Sequence, residues 1–177
     1  MKKATCTYLI DGQYVQMAYQ QKKIIGFKGY GGMIEEGQSI RGNAVQEIWE
    51  ETGGVSKLRI RKDEIGGIFT RPELLEPVAQ IDFYNGTEEE VPFGSPSMRV
   101  YFFLCFQYAG KAIDTVEMTK HQLFAINSLP EKQLVQGDEM FMYQILNGKK
   151  LEGWMRRTKD FSSIVDYELY EKEGFMF

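Results

Sequence analysis

Glu47, Glu50 and Glu51 stand at i, i+3 and i+4 inside the stretch GGMIEEGQSIRGNAVQEIWEETGG, Gly31 to Gly54. On a helix that spacing puts three carboxylates on one face. Like charges so close repel, and either solvent or a divalent cation must favour them. Glutamate-rich helix faces are most often simply solvated. The alternative with chemical content is a hard cation, Mg²⁺ or Mn²⁺. Such ions take oxygen ligands and commonly bind substrate phosphates as well. On that reading the segment is a site of phosphoryl chemistry.

The surrounding residues carry a longer pattern. A glycine-rich turn precedes the helix and a glycine pair ends it. The segment resembles the Nudix box, G-x5-E-x7-R-E-U-x-E-E-x-G-U, in which U is a bulky aliphatic residue. Gly32, Glu47, Ile48, Glu50, Glu51 and Gly53 match it. Three positions depart: Gln38 stands for the first glutamate, Gln46 for the arginine and Gly54 for the last aliphatic, whose packing role Val55 could take. The first two changes are linked by physics. Two amides can hydrogen-bond to each other, and losing both charges together leaves none unpaired. We expect Gln38 and Gln46 to touch and to hold the loop against the helix.

The resemblance implies an α/β protein with the Nudix fold, an α/β/α sandwich around a mixed sheet. It implies Mg²⁺-dependent hydrolysis of a nucleoside diphosphate linked to a further group. Glu47, Glu50 and Glu51 would hold the metal with the main-chain carbonyl of Gly31, and one of the glutamates would take the proton from water. Glu117 resembles a distal glutamate that many members add, and an ordinary surface glutamate is the other reading. Outside the box the chain is similar, less specifically, to the 8-oxo-dGTP diphosphatase (MutT-like) branch. The segments that carry this are GFKGYGG, QGDEMFMYQIL and the ending LEGWMRRT…SSIVDYELYEKE. In that branch a purine stacks on an aromatic ring and is read by acidic residues. Asp138 matches one acid, and helix capping is its competing role. Phe27 and Lys28 replace a tryptophan and an asparagine, which touches base recognition directly. Phe27 could equally be plain core. Lys22, Lys23 and Lys28 are candidate phosphate contacts or plain exposed lysines.

These readings favour a pyrophosphohydrolase that releases a nucleoside monophosphate and pyrophosphate from a triphosphate, 8-oxo-dGTP being one example. A second enzyme reading is a pyrophosphatase of ADP-ribose or a nucleotide sugar. A third is a non-catalytic nucleotide-binding or regulatory protein, which Gln38 and Gln46 favour and the intact E-x-x-E-E opposes.

The elements that must position this box follow from local signals. Residues 4–10 and 13–19 form two β runs joined by Asp11-Gly12, a strong hairpin turn. Residues 20–30 read as a polar, glycine-rich loop. Ser39 caps a helix over about 40–52, with Ala44, Val45 and Ile48 facing inward and Gly53 as the left-handed stop. Gly42 weakens that helix unless close packing requires it. Short strands follow at 58–60, 66–70 and 78–84. Residues 85–97 form a surface loop, whose Glu88–Glu90 read as solvated. RVYFFLCFQY (99–108) is the central strand. Residues 138–147 are an amphipathic helix closed by Gly148, and 151–157 and 164–171 a closing pair of strands. No repeat or linker divides the chain, so residues 1–177 are read as one domain.

Composition narrows the chemistry. The chain has 177 residues, is 43% hydrophobic and carries a net charge of −4. That suits one real core and offers no broad basic surface for duplex nucleic acid. The expected partner is a small nucleotide. Cys6 and Cys105 lie in apolar runs and read as buried thiols. The single histidine, His121, reads as a surface residue, so nucleophilic triads have little to work with. The N-terminal run is broken by Asp11-Gly12 and does not read as a signal peptide, no stretch is long enough to span a membrane, and the expected location is the cytoplasm. Oligomeric state is not legible.

Overall fold

The N-terminal hairpin forms as its turn chemistry dictates. Strands β1 (Lys2–Asp11) and β2 (Tyr14–Gln20) pair antiparallel, and Gly12 supplies the left-handed φ of +59°. The computed structural model describes residues 1–22, 24–54, 66–86 and 96–177. Lys23, Val55, the strand expected at 58–60 and most of the 85–97 loop, with Glu88–Glu90, lie outside the described residues.

The segment expected as a loop after β2 contains a strand, β3 (Gly26–Lys28), which pairs with the end of β2. Its glycines hid it. Gly26 lies so close to the Leu134–Val135 backbone that a Cβ would stand 2.7 Å from Leu134 C. Here glycine marks a close backbone approach and not a break in the strand. Helix α1 (Ile40–Glu51) starts at Ser39, whose hydroxyl accepts from Gly42 N at 3.1 Å. Gly53 follows it with φ +93°. The helix buries Ala44 and Ile48, while Val45 packs at the margin of the core.

The remaining strands are β4 (Gly67–Phe69), β5 (Leu75–Asn85), β6 (Met98–Cys105), β7 (Ala109–Lys111), β8 (Met118–Ala125), β9 (Leu151–Arg157) and β10 (Ile164–Glu171). The main sheet runs β10-β9-β5-β6-β1-β2-β3, with β8 also paired to β2. It is mixed: β1 runs parallel to β6 and β5 parallel to β9, while the other pairs are antiparallel. The helix expected over 138–147 is shorter than its periodicity suggested. A 3-10 turn, Asp138–Met140, precedes a separate α2 (Met142–Leu146).

Strand alternation sorts the core into two layers. Ala4, Cys6 and Tyr8 of β1 and Val100, Phe102 and Leu104 of β6 face α2, whose Met142 and Ile145 are fully buried. Leu9 of β1 and Tyr101, Phe103 and Cys105 of β6 pack with Ala44 and Ile48 of α1 on the other face. Helices therefore cover both faces of a mixed sheet, the α/β/α arrangement that the box implied. Both cysteines are buried free thiols. Among the described residues no helix is long and apolar enough to cross a membrane.

Candidate active site

The glycines ahead of α1 lie flat on β1. Thr7 N donates to Tyr30 O at 2.7 Å and Thr5 N to Gly32 O at 2.9 Å. A Cβ at Gly31 would collide with the Thr5 carbonyl, and one at Gly32 would stand 2.6 Å from Glu47 Oε1. Glycine at these two positions is thus what lets the Glu47 carboxylate and the sheet close on one peptide from two sides.

The three glutamates share the face their spacing demands, in unequal settings. Glu51 is buried, and its Oε2 accepts from Gly31 N at 2.6 Å. Its Oε1 lies 3.7 Å from Lys28 Nζ. Burial pushes the Glu51 carboxyl up, against the pull of Lys28 and the Gly31 amide, and Glu117 adds to the upward push. Glu47 is pushed up to about 7, first by burial and then by Glu51 and Glu50. Glu50 accepts from Gln46 Nε2 at 2.9 Å. Among the described residues no three His, Cys, Asp or Glu groups converge tightly enough to form a ready-made metal cluster. The donor chemistry still fits a hard cation: oxygen-only, anionic, and holding a carboxyl whose charge its neighbours oppose. The Gly31 carbonyl faces the same place, where it accepts from Lys28 Nζ at 2.9 Å. Glu117 is exposed in the bend just before β8, close enough to Glu51 to act on its charge.

Gln38 and Gln46 do touch, Nε2 to Oε1 at 2.9 Å. Gln38 Oε1 also accepts from Glu35 N at 2.9 Å, so the loop is tied through Gln46 to Glu50. Asn43, which the sequence did not single out, adds a second brace. It accepts from Thr5 Oγ1 at 2.8 Å, donates to Met33 O at 3.1 Å and approaches Glu47 Oε1 at 3.5 Å. The third departure from the box has a packing cause: a Cβ at Gly54 would overlap the Trp49 indole.

Beside the glycines opens a cavity of about 270 Å³, walled by Phe83, Met98, Val100 and Phe102. Gly31 and Gly32 line it as well, so it is continuous with the carboxylate face. Lys28 and Asp138 both reach it. Burial opposes the Lys28 charge, but Glu51 and other anions outweigh it and its pKa lies above the ordinary value. Gly137, and not Asp138, holds the cap position of the 3-10 turn. The Asp138 carboxylate is buried, takes the Tyr8 hydroxyl at 3.4 Å and lies 3.6 Å from Arg157 Nη2. Arg157 is a cavity residue that the sequence reading missed. Adjacent strand residues face opposite ways, and although Arg156 and Arg157 are both buried, only Arg157 is on the cavity side. Phe27 is placed elsewhere. It is buried edge-on between Tyr19 and Phe124, at ring distances of 5.2 and 4.8 Å, and does not line this cavity. His121 is not a free surface residue either. It stacks on Tyr30 at 5.8 Å, meets its hydroxyl at 3.0 Å, and burial lowers its pKa.

No protein-family model matches the chain. It is 27% identical over 150 residues to the oxidized purine nucleoside triphosphate hydrolase of Mus musculus, covering 84% of this chain and 80% of that protein. Its fold superposes on the MutT protein of Bacillus halodurans with a TM-score of 0.74 at 18% identity, over 96% of this chain and 97% of that one. A MutT Nudix hydrolase of Burkholderia pseudomallei superposes with a TM-score of 0.54 at 12% identity, over 81% and 95%. The sandwich fold, with a glycine-flanked acidic helix set against it, is the fold of these Nudix structures. In sequence and in fold the chain is similar to MutT-type hydrolases.

Proposed function

We propose that this protein hydrolyses a purine nucleoside triphosphate, oxidised purines included, to the nucleoside monophosphate and pyrophosphate, with Mg²⁺ or Mn²⁺ as cofactor, in the cytoplasm. One observation carries the reading: the Glu47 and Glu51 carboxylates flank the Gly31–Gly32 peptide, which also lines an apolar cavity. A polyphosphate lying along that peptide meets the acidic helix while its base enters the cavity. The name of the mouse relative supports the substrate class.

Glu47 and Glu51 would hold the cation, with Glu50, the Gly31 carbonyl and Glu117 available beside them. The ion would neutralise charge on the phosphate oxygens and on the departing pyrophosphate. The chain's own residues supply position. Gly31 N fixes Glu51, Asn43 and Gly32 fix Glu47, and the Gln38–Gln46 pair fixes Glu50. One of these carboxylates takes the proton of the attacking water. Lys28, held between Glu51 and the Gly31 carbonyl, supplies a cation beside the phosphates.

Pyrophosphate release from a panel of nucleoside triphosphates, with and without Mg²⁺, tests this. Turnover should require the ion, and Glu51→Gln should lower kcat by about 100-fold or more while the fold persists. Turnover that ignores both the ion and Glu51 would overturn it.

A further inference from the structure

Among the described residues, Arg157 is the cation of the cavity whose hydrogen-bonding capacity is not already committed. Lys28 is engaged by the Gly31 carbonyl and Glu51. The Arg157 side chain is 5% exposed, yet its Nε is buried without a partner. Its approach to Asp138 is 3.6 Å, outside hydrogen-bond reach, and its guanidinium lies 4.3 Å from the centre of the Phe83 ring. A desolvated guanidinium with unmet donors is costly. Its planar fork matches two adjacent acceptors on one flat group. Two features argue that this group is a neutral ring and not a second phosphate. The walls are Phe83, Met98, Val100 and Phe102, and the Asp138 carboxylate beside the fork would repel an anion.

We propose that Arg157 is a specificity-determining residue that reads two adjacent acceptors on the substrate's base. Among purines that edge is O6 and N7 of guanine. Oxidation at C8 puts a hydrogen on N7 and turns one acceptor into a donor, so the fork prefers the unoxidised ring. Asp138 is placed to accept from the ring's own N–H groups. The proposal rests on the reading that the base occupies this cavity, and it sharpens which base.

Equilibrium binding separates it from catalysis. Titrate dGMP, 7-deaza-dGMP, which lacks the N7 acceptor, and 8-oxo-dGMP into the full chain, and into Arg157→Met and Arg157→Lys. The wild type should bind dGMP about tenfold more tightly than either analogue. Both variants should bring the three ligands to within about twofold, which a merely structural role for Arg157 would not do. Arg157→Lys keeps the charge and serves if Arg157→Met fails to fold. Equal wild-type affinities, or no binding of any of the three, overturns the proposal. Turnover of triphosphates measured in parallel reports separately on the hydrolase reading, which survives a failure of base selection.

Discussion

Asp138 is a carboxylate that folding holds at a cost. Burial, helped by Glu139, pushes it from its ordinary value near 3.8 up to about 6, against the pull of Arg157 and Lys28. The folded chain therefore binds this proton more tightly than the unfolded chain does. Between about pH 4 and pH 6 the unfolded state has released the proton while the folded state keeps it, so this residue's contribution to stability falls as pH rises. The full difference is on the order of 2–3 kcal/mol, complete above about pH 6. Chemical denaturation of wild type and Asp138→Asn across that range should show the wild type losing ground to the variant as pH increases. A gap between the two that does not change with pH would refute the assignment. Residue types explain what was legible here. Glu47, Glu50, Glu51 and Lys28 announced themselves as charges in or beside a glycine-rich box, and Asp138 through the resemblance its segment carries. Arg157 did not, because an arginine in a closing strand reads as solvated until the layer above it is known. Phe27 misled for the converse reason: an aromatic next to a phosphate loop reads as a stacking platform, and β3 turns its ring into the core.

At the scale of elements, α1 is fixed at both ends by the residues that sequence logic named, Ser39 and Gly53. Its departure from the family pattern comes from its own Trp49, which fills the space over Gly54 and against Gly67. Restoring the aliphatic with Gly54→Val should therefore destabilise the fold by about 1–3 kcal/mol, the usual range for overpacking. Trp49→Ala should relieve most of that added penalty in the double variant, read as a coupling in a denaturation cycle. Independent, additive losses would show that the two sites do not meet. The hairpin, α1, β9 and β10 were legible because turn residues and alternation agreed. β8 was not, since MTKHQLFA mixes polar and apolar residues without a clean alternation and is partly exposed, and its pairing with β2 is a tertiary fact. The helix after Gly137 was overread. Its apolar spacing is real, but the segment spends its first turn as a 3-10 piece that buries Asp138.

For the whole molecule, the acidic face is the region where a cation and the fold act on each other. A cation that binds only the folded chain stabilises it by about 2.7 kcal/mol at a hundredfold excess over its dissociation constant. Adding Mg²⁺ to the purified chain should raise Tm, and the rise should shrink strongly in Glu47→Gln and Glu51→Gln. A Tm that does not respond to Mg²⁺ or Mn²⁺ would argue that these carboxylates serve only the fold.

The parallel pairing of β1 with β6 sets Lys2 opposite Met98 and Leu9 opposite Cys105, and that of β5 with β9 sets Ala79 opposite Leu151. During synthesis the first hairpin leaves the ribosome long before β6 exists, and its apolar edge must wait. The middle of the sheet is assembled late, by long-range closure and not by local zippering, which makes folding slow for a chain of this size.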